Sequence, residues 1–290
     1  MSEGSPSSHA LQIGRFRIRP VNDGIFRLDG GSMFGVVPKS QWMRQVEVDQ
    51  DNRIPLALRC FLIEDGERKI LLEGGMGEVL GDATRHFALE RKGGLVARLE
   101  ELGLAPGDID LVVLTHLHWD HMGALVEPSG PGFRPIFEEA ELVAPEKAWA
   151  EALAPSRRAA PSYVTAAVQS LRGMSDIRLL PDDSEILPGL SFVWTGGHTE
   201  HHVVVRIEDG DDVGVFWADL IPTAAHVPPR WVMAYDVDPI RSVDAKETLV
   251  AESARDGWTA LLYHDPDHAF GRIEHDGRRY RFVPLSEEAS

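Results

Sequence analysis

The chain has 290 residues, of which 43% are hydrophobic, so it is long enough to bury a large core. Its formal net charge of -17 repels phosphate groups, which argues against nucleic acid and anionic membrane surfaces as partners. The sequence has neither a basic start followed by an apolar segment nor an apolar run of about 18 residues, so we expect a cytoplasmic protein.

The first residues are rich in Ser, Gly and Pro, and such a segment buries too little apolar surface to fold. We therefore predict a flexible tail over residues 1–12 and a single domain over residues 13–290.

Apolar and β-branched stretches bounded by turns predict strands, and leucines at helical spacing predict helices. In chain order, the predicted elements are strands at 16–28, 58–64 and 69–73, a helix at 94–102, a strand at 111–116, a helix at 163–171, strands at 177–180, 190–195, 203–208 and 213–218, a helix at 245–255, and strands at 260–263, 272–275 and 280–283. This order, without a linker or a repeat of fixed period, indicates one α/β unit with two sheets.

Residues 115–123 read THLHWDHMG and place His116, His118, Asp120 and His121 directly after a buried strand. Two residues apart in an extended chain, the first two histidines project to the same side, and a turn into a helix brings the other two residues beside them. Imidazole with carboxylate favours zinc, although iron or manganese fits the same set. The alternative is that these residues only cap a helix, but a cap needs one such side chain and leaves the histidines unexplained.

The pattern H-x-H-x-D-H after an apolar strand resembles the signature of the metallo-β-lactamase superfamily, and the later motifs follow in the same order. The resemblance implies an α/β fold of four layers, an αββα sandwich of two mixed β-sheets with helices outside and the metals at one edge. It also implies that His198 completes a first metal site, that His264 completes a second, and that Asp219 bridges the two ions. The ligand set so implied is His116, His118, Asp120, His121, His198, Asp219 and His264.

Two segments depart from the family pattern. Glu73 stands where the family more often has Asp, and it either supports the metal loops from behind or is a surface residue at a strand end. Residues 200–202 replace the usual Pro-Gly-His turn, and we predict that His202 supports the site without binding metal.

Two ions bridged by Asp219 would activate a hydroxide at neutral pH and polarise a carbonyl oxygen, so no Ser or Cys nucleophile is required. The resemblance implies that Asp120 orients this hydroxide or accepts its proton. True β-lactamases of this fold lack the bridging carboxylate, whereas hydroxyacylglutathione hydrolases, acyl-homoserine-lactone lactonases and some organophosphate hydrolases have one. We therefore expect a hydrolase of small lactones, esters or thioesters, with N-acyl homoserine lactones among them.

The segment 27–42 resembles a lactonase-like branch of the superfamily, and its Met33, Phe34 and Trp42 either form an apolar wall for an acyl chain or pack in the core. Several lactonases carry a Tyr shortly after the bridging Asp, where this chain has Pro222. His226 is then the nearest titratable candidate to protonate a leaving group.

Other functions fit the same fold. A phosphotriester hydrolase or a β-lactamase-like enzyme would use the same two ions. The sequence is compatible with a homodimer, whichever substrate the chain takes. A nuclease would carry an inserted domain and a basic face, which this acidic chain lacks. A catalytically silent binding module would be expected to lose metal ligands, yet all seven are present.

Overall fold

The computed structural model describes residues 10–285 as two seven-stranded sheets, a two-stranded sheet and the helices that cover them. The first sheet contains, in spatial order, β1 (Leu11–Ile13), β2 (Phe16–Asp29), β3 (Arg53–Glu64), β4 (Lys69–Leu72), β5 (Leu111–Val113), β8 (Glu141–Pro145) and β9 (Asp176–Leu180). The small sheet pairs β6 (Val126–Ser129) with β7 (Gly132–Pro135). The second large sheet contains, in spatial order, β10 (Ser184–Leu187), β11 (Leu190–Trp194), β12 (Val203–Asp209), β13 (Asp212–Phe216), β14 (Thr259–Leu261), β15 (Phe270–His275) and β16 (Tyr280–Pro284).

The α-helices are short apart from the last. They are α1 (Gly30–Phe34), α2 (Lys39–Trp42), α3 (Gly94–Glu101), α4 (Trp119–Met122), α5 (Glu146–Leu153), α6 (Thr165–Ser170) and α7 (Pro239–Asp256). Single turns of 3-10 helix occur at Pro106–Asp108, Gly123–Leu125, Ala160–Ser162, Leu171–Gly173 and Ala224–His226, and a longer one at Gly81–Phe87. Within residues 10–285, no helix is long and apolar enough to cross a membrane.

The two large sheets pack face to face through one apolar core. Successive residues of β12 point to opposite faces, so Val203, Val205 and Ile207 join that core while Val204 packs in a second cluster. The second cluster lies beneath α7, which contributes Val250 to it. Helices α3 and α5 contact β2 and β8 of the first sheet. The predicted αββα sandwich of two mixed sheets is confirmed.

Most predicted elements are present, although some differ in their limits and others were not predicted. The predicted tail comprises residues 1–12, of which residues 1–9 lie outside the described part of the chain. Leu11 and Gln12 are not tail residues, because they belong to β1 and pair with β2. Strand β3 begins at Arg53 and includes Pro55, a residue that weakens a strand prediction. Strand β8 and helix α5, which the sequence patterns did not identify, extend the first sheet and cover it.

Candidate metal centre

The strands of both large sheets deliver polar side chains to one edge of the sandwich. Strands β4 and β5 are parallel, as are β13 and β14, so the carboxyl ends within each pair lie side by side. These ends lead directly into the segments that hold Glu73, His116, Asp219 and His264. The loop after β11 adds His198. The architecture therefore gathers side chains that are far apart in the sequence, such as His116 and His264, which are separated by 148 positions.

A first group of possible metal ligands consists of His116, His118 and His198, all buried. Nε2 of His116 and Nε2 of His198 lie 3.1 and 3.0 Å from Nδ1 of His118. Burial holds the pKa of His116 and of His118 well below the ordinary histidine value. Neutral imidazole nitrogens at this spacing offer lone pairs that one cation can share.

A second group consists of Asp120, His121 and His264, whose ligand atoms lie within 4.8 Å of one another. Nε2 of His264 is 3.6 Å from Oδ2 of Asp120. The other ring nitrogen of His264, Nδ1, is 2.8 Å from the carbonyl oxygen of Ala57 and donates to it. This bond to β3 leaves Nε2 of His264 directed at the group.

Asp219 lies between the two groups and contacts each with a different oxygen. Its Oδ1 is 3.1 Å from Nε2 of His121 and 3.3 Å from Nε2 of His264. Its Oδ2 is 3.1 Å from Nε2 of His198. The preceding residue, Ala218, has φ 43, a left-handed conformation that is uncommon outside glycine and is found at functional sites.

The charges and buried atoms of these groups fit a cation. Burial raises the pKa of Asp219, but the neighbouring His121, His198 and His264 bring it well below its usual range. Burial lowers the pKa of His121, but the negative charges of Asp219 and Asp120 raise it well above the ordinary value. Nε2 of His121 and Oδ1 of Asp219 are buried and have no hydrogen-bond partner among residues 10–285. A divalent ion would satisfy these atoms and neutralise the carboxylates.

Glu73 lies directly behind two of the histidines and is fully buried, so it is not the surface residue that one interpretation of the sequence allowed. Its Oε1 accepts hydrogen bonds from the hydroxyl and the amide of Thr115, at 2.5 and 3.1 Å. The same hydroxyl is 3.0 Å from Nδ1 of His116. Oε2 of Glu73 is 3.4 Å from Nδ1 of His121. Glu73 has φ 67, and this left-handed turn after β4 directs the longer side chain inward.

His202 lies behind the centre and contacts the backbone of Asp219. Its Nε2 accepts a hydrogen bond from the Asp219 amide at 3.3 Å, and its Nδ1 is 2.7 Å from the Thr195 hydroxyl. Burial keeps the pKa of His202 well below the ordinary value, so the ring is neutral and can accept this bond. Both nitrogens are occupied, which leaves none for a metal.

Two further supporting residues were not identified from the sequence. Oδ1 of Asp236 is 3.1 Å from Nδ1 of His198. The ring of Tyr263 stacks on His121 with 4.3 Å between centroids, and its hydroxyl donates to the backbone oxygen of Asp120. Asp236 belongs to the irregular segment before α7, where no periodic pattern marks a buried carboxylate.

Met33, Phe34 and Trp42 lie in the core. Each is at most 1% exposed, and the Phe34 ring stacks on Trp42 at 5.1 Å between centroids. This placement supports the interpretation as packing residues and does not provide an open wall for an acyl chain.

The prediction that His226 protonates a leaving group is not supported by its contacts. The ring is fully buried and stacks on Phe34 at 4.4 Å. Its Nδ1 is 2.8 Å from the Thr223 hydroxyl, and its Nε2 is 2.8 Å from the Met33 carbonyl, to which it donates. Burial lowers the pKa of His226 to about 3, so the ring carries no proton to spare at neutral pH.

The αββα sandwich and the arrangement of the His and Asp groups at its edge are those of a metallohydrolase. Residues 54–271 match the family model of the metallo-beta-lactamase superfamily, and the chain belongs to that superfamily. The predicted family and enzyme class are therefore confirmed.

Three proteins illustrate what the chain is similar to. The chain is 27% identical over 244 residues to the N-acyl homoserine lactonase AttM of Azorhizobium caulinodans, a match that covers 75% of this chain and 84% of that protein. A probable metal-dependent hydrolase from Staphylococcus aureus superposes with a TM-score of 0.86 at 30% identity, over 95% of this chain and 99% of the other. The fold is also that of AidC, a dizinc quorum-quenching lactonase, with a TM-score of 0.81 at 20% identity, over 96% of this chain and 97% of the other.

Proposed function

We propose that the chain is a dinuclear metallohydrolase that opens a lactone, ester or thioester by attack of water on the carbonyl carbon. His116, His118 and His198 would hold the first ion, Asp120, His121 and His264 would hold the second, and Asp219 would contribute to both. The observation that carries this proposal is that the two carboxylate oxygens of Asp219 contact different groups. Oδ1 contacts the second group and Oδ2 contacts the first. The number of imidazoles favours zinc, although iron or manganese suits the same ligands.

Two divalent ions in such a site lower the pKa of a bound water and polarise a carbonyl or phosphoryl oxygen. The chain itself determines where substrate enters. Asp120 and Asp219 keep 8% and 7% of their surface exposed, whereas His116 and His121 are fully enclosed. His118 keeps 7% exposed as well, so the open side of the centre is formed by Asp120, Asp219 and His118. On that side Asp120 can accept the proton of the attacking water.

N-acyl homoserine lactones are the substrate class that we favour. The support is that the relative AttM is an N-acyl homoserine lactonase and that AidC, which shares the fold, is a quorum-quenching lactonase. A small uncharged lactone also suits the surface, since a net charge of -17 disfavours anionic polymers.

The test is a comparison of kcat/KM over one panel of substrates with zinc-loaded protein. The panel contains N-hexanoyl homoserine lactone, a glutathione thioester, paraoxon and nitrocefin, and we expect the lactone to be best. His116→Ala and His264→Ala should lose turnover, whereas His275→Ala, an exposed histidine of β15, should retain it.

The other outcomes select the alternatives. A higher value for paraoxon would make the chain a phosphotriester hydrolase, and a higher value for nitrocefin would make it a β-lactamase-like enzyme. Protein that retains two ions and turns over none of the panel would be a silent binding module.

A further inference from the structure

Arg158 joins the turn after α5 to the segment that carries Asp236. The base of this turn is held by the Ala160 amide, which donates to the Ser156 carbonyl at 2.9 Å. Nη2 of Arg158 donates to the carbonyl oxygens of both Ala234 and Asp236, at 2.6 and 3.1 Å. A single nitrogen therefore connects two parts of the chain that are 76 to 78 positions apart.

The segment that Arg158 contacts is a turn that its own sequence does not specify. The turn comprises residues 233–236 and is closed by the Asp236 amide, which donates to the Met233 carbonyl at 3.3 Å. It contains none of the Gly, Pro or Asn residues that favour such turns, so contacts from other segments are needed to hold it. One such contact is the Ala234 amide, which donates to the Ser32 carbonyl of α1 at 2.9 Å. The two bonds from Arg158 hold the same turn through its carbonyl oxygens.

This turn places a carboxylate behind His198. Oδ1 of Asp236 is 3.1 Å from Nδ1 of His198, and both side chains are almost completely buried. The amides of residues 237 and 238 donate to the carbonyls of His198 and Gly197, at 3.3 and 2.9 Å. These bonds fix the backbone after Asp236, while Arg158 fixes Asp236 at its own carbonyl. The position of the Asp236 carboxylate therefore depends on contacts from both sides.

We infer that Arg158 is a positioning residue for the first ion, an inference that rests on the proposed dinuclear site. By holding the carbonyls of Ala234 and Asp236, it keeps the Asp236 carboxylate against the His198 ring. That contact leaves Nε2 of His198 directed at the metal site. Arg158 thus acts on the site through Asp236.

The test is the zinc affinity of Arg158 variants, measured by competition with a chelator and without substrate. Arg158→Met keeps the stem of the side chain and removes the donors, so it should lower the affinity for the first ion about tenfold, the lower end of the range for residues that support a ligand. Arg158→Lys keeps a nitrogen with several hydrogens and should restore most of the affinity. Arg157→Met, at the neighbouring exposed position, is the matched control and should retain wild-type affinity. Circular dichroism verifies the fold of each variant.

Combination with Asp236→Asn separates this role from a general effect on folding. In the Asp236→Asn background, Arg158→Met should lower the affinity by less than about twofold further, because two residues that act through one contact do not have additive effects. A combined loss equal to the product of the two single losses, or wild-type affinity in Arg158→Met, would overturn the role of Arg158 and leave the proposed hydrolase intact. Wild-type protein that binds no zinc would overturn both.

Discussion

The carboxylate of Asp236 and the imidazole of His198 lie 3.1 Å apart, Oδ1 to Nδ1, both almost completely buried. The contact fixes the ring so that Nε2 faces His118 and Asp219. A carboxylate behind a metal-binding histidine also raises the basicity of the ligand nitrogen.

Asp236→Asn should therefore lower the affinity for the ion assigned to His116, His118 and His198 by about 10- to 100-fold, the usual effect of losing such a partner. Competition with a chelator, followed by metal analysis, measures this affinity. Asp244→Asn, on the exposed face of α7, is the control and should retain wild-type affinity. Equal affinities in all three proteins would show that Asp236 does not support His198.

The sequence motif predicted the candidate centre because His116, His118, Asp120 and His121 lie within six positions, but supporting residues are harder to predict. Glu73, His202 and Asp236 act through contacts between distant segments, and only the first two adjoin a family motif. In α7 the buried face consists of Ser242, Lys246, Val250 and Ser253, so its helical stripe is mostly polar. Apolar spacing therefore predicted the helix only from Ala245, although the Asp238 cap and Pro239 mark its true start.

Lys246 is a fully buried lysine that donates to the carbonyl oxygens of His226 and Trp231, at 2.5 and 2.8 Å. Burial lowers its pKa from 10.5 to about 7. The unfolded chain therefore binds more protons than the folded protein between these values, and this residue makes the free energy of unfolding rise with pH from about 7 toward 10.5.

Lys246→Met should reduce this rise, because the titrating group is absent. Urea midpoints near pH 7 and at about pH 9.5 measure the effect, with Lys147→Met at an exposed position of α5 as the control. The same pH dependence in Lys246→Met and wild type would contradict the assigned shift.

Arg59 organises the segment that follows β14 and carries His264. Its buried guanidinium donates from Nη1 to the carbonyl oxygens of Leu262, Asp265 and His268, at 3.1, 2.5 and 3.1 Å. Nη2 also donates to the Pro266 carbonyl oxygen at 3.5 Å, and lysine keeps the charge but has a single nitrogen that cannot occupy both positions.

Arg59→Lys should lower the free energy of unfolding by about 2 kcal/mol or more, since each buried carbonyl left unpaired costs about 1–3 kcal/mol. Urea unfolding of the metal-loaded protein measures the change. Arg68→Lys, at an exposed turn, should stay within about 0.5 kcal/mol of the wild type. An equally small change in Arg59→Lys would mean that other contacts hold this segment.

Substitution of Asp219 tests whether the two ions share one ligand or occupy independent sites. Asn has the same shape as Asp but lacks its charge, and the two dications repel each other strongly at the spacing of about 4 Å that is typical of such centres. Loss of the shared anion should therefore release the less tightly held ion, while the two sheets and their core stay folded.

The most direct measurement is the number of metal ions per chain in wild type and in Asp219→Asn, with circular dichroism to verify the fold and lactone hydrolysis assayed on the same samples. We expect two ions in the wild type, about one in the variant, and a loss of activity by orders of magnitude. Two ions and near-normal lactone hydrolysis in Asp219→Asn would contradict a bridging role for Asp219 and, with it, the dinuclear mechanism.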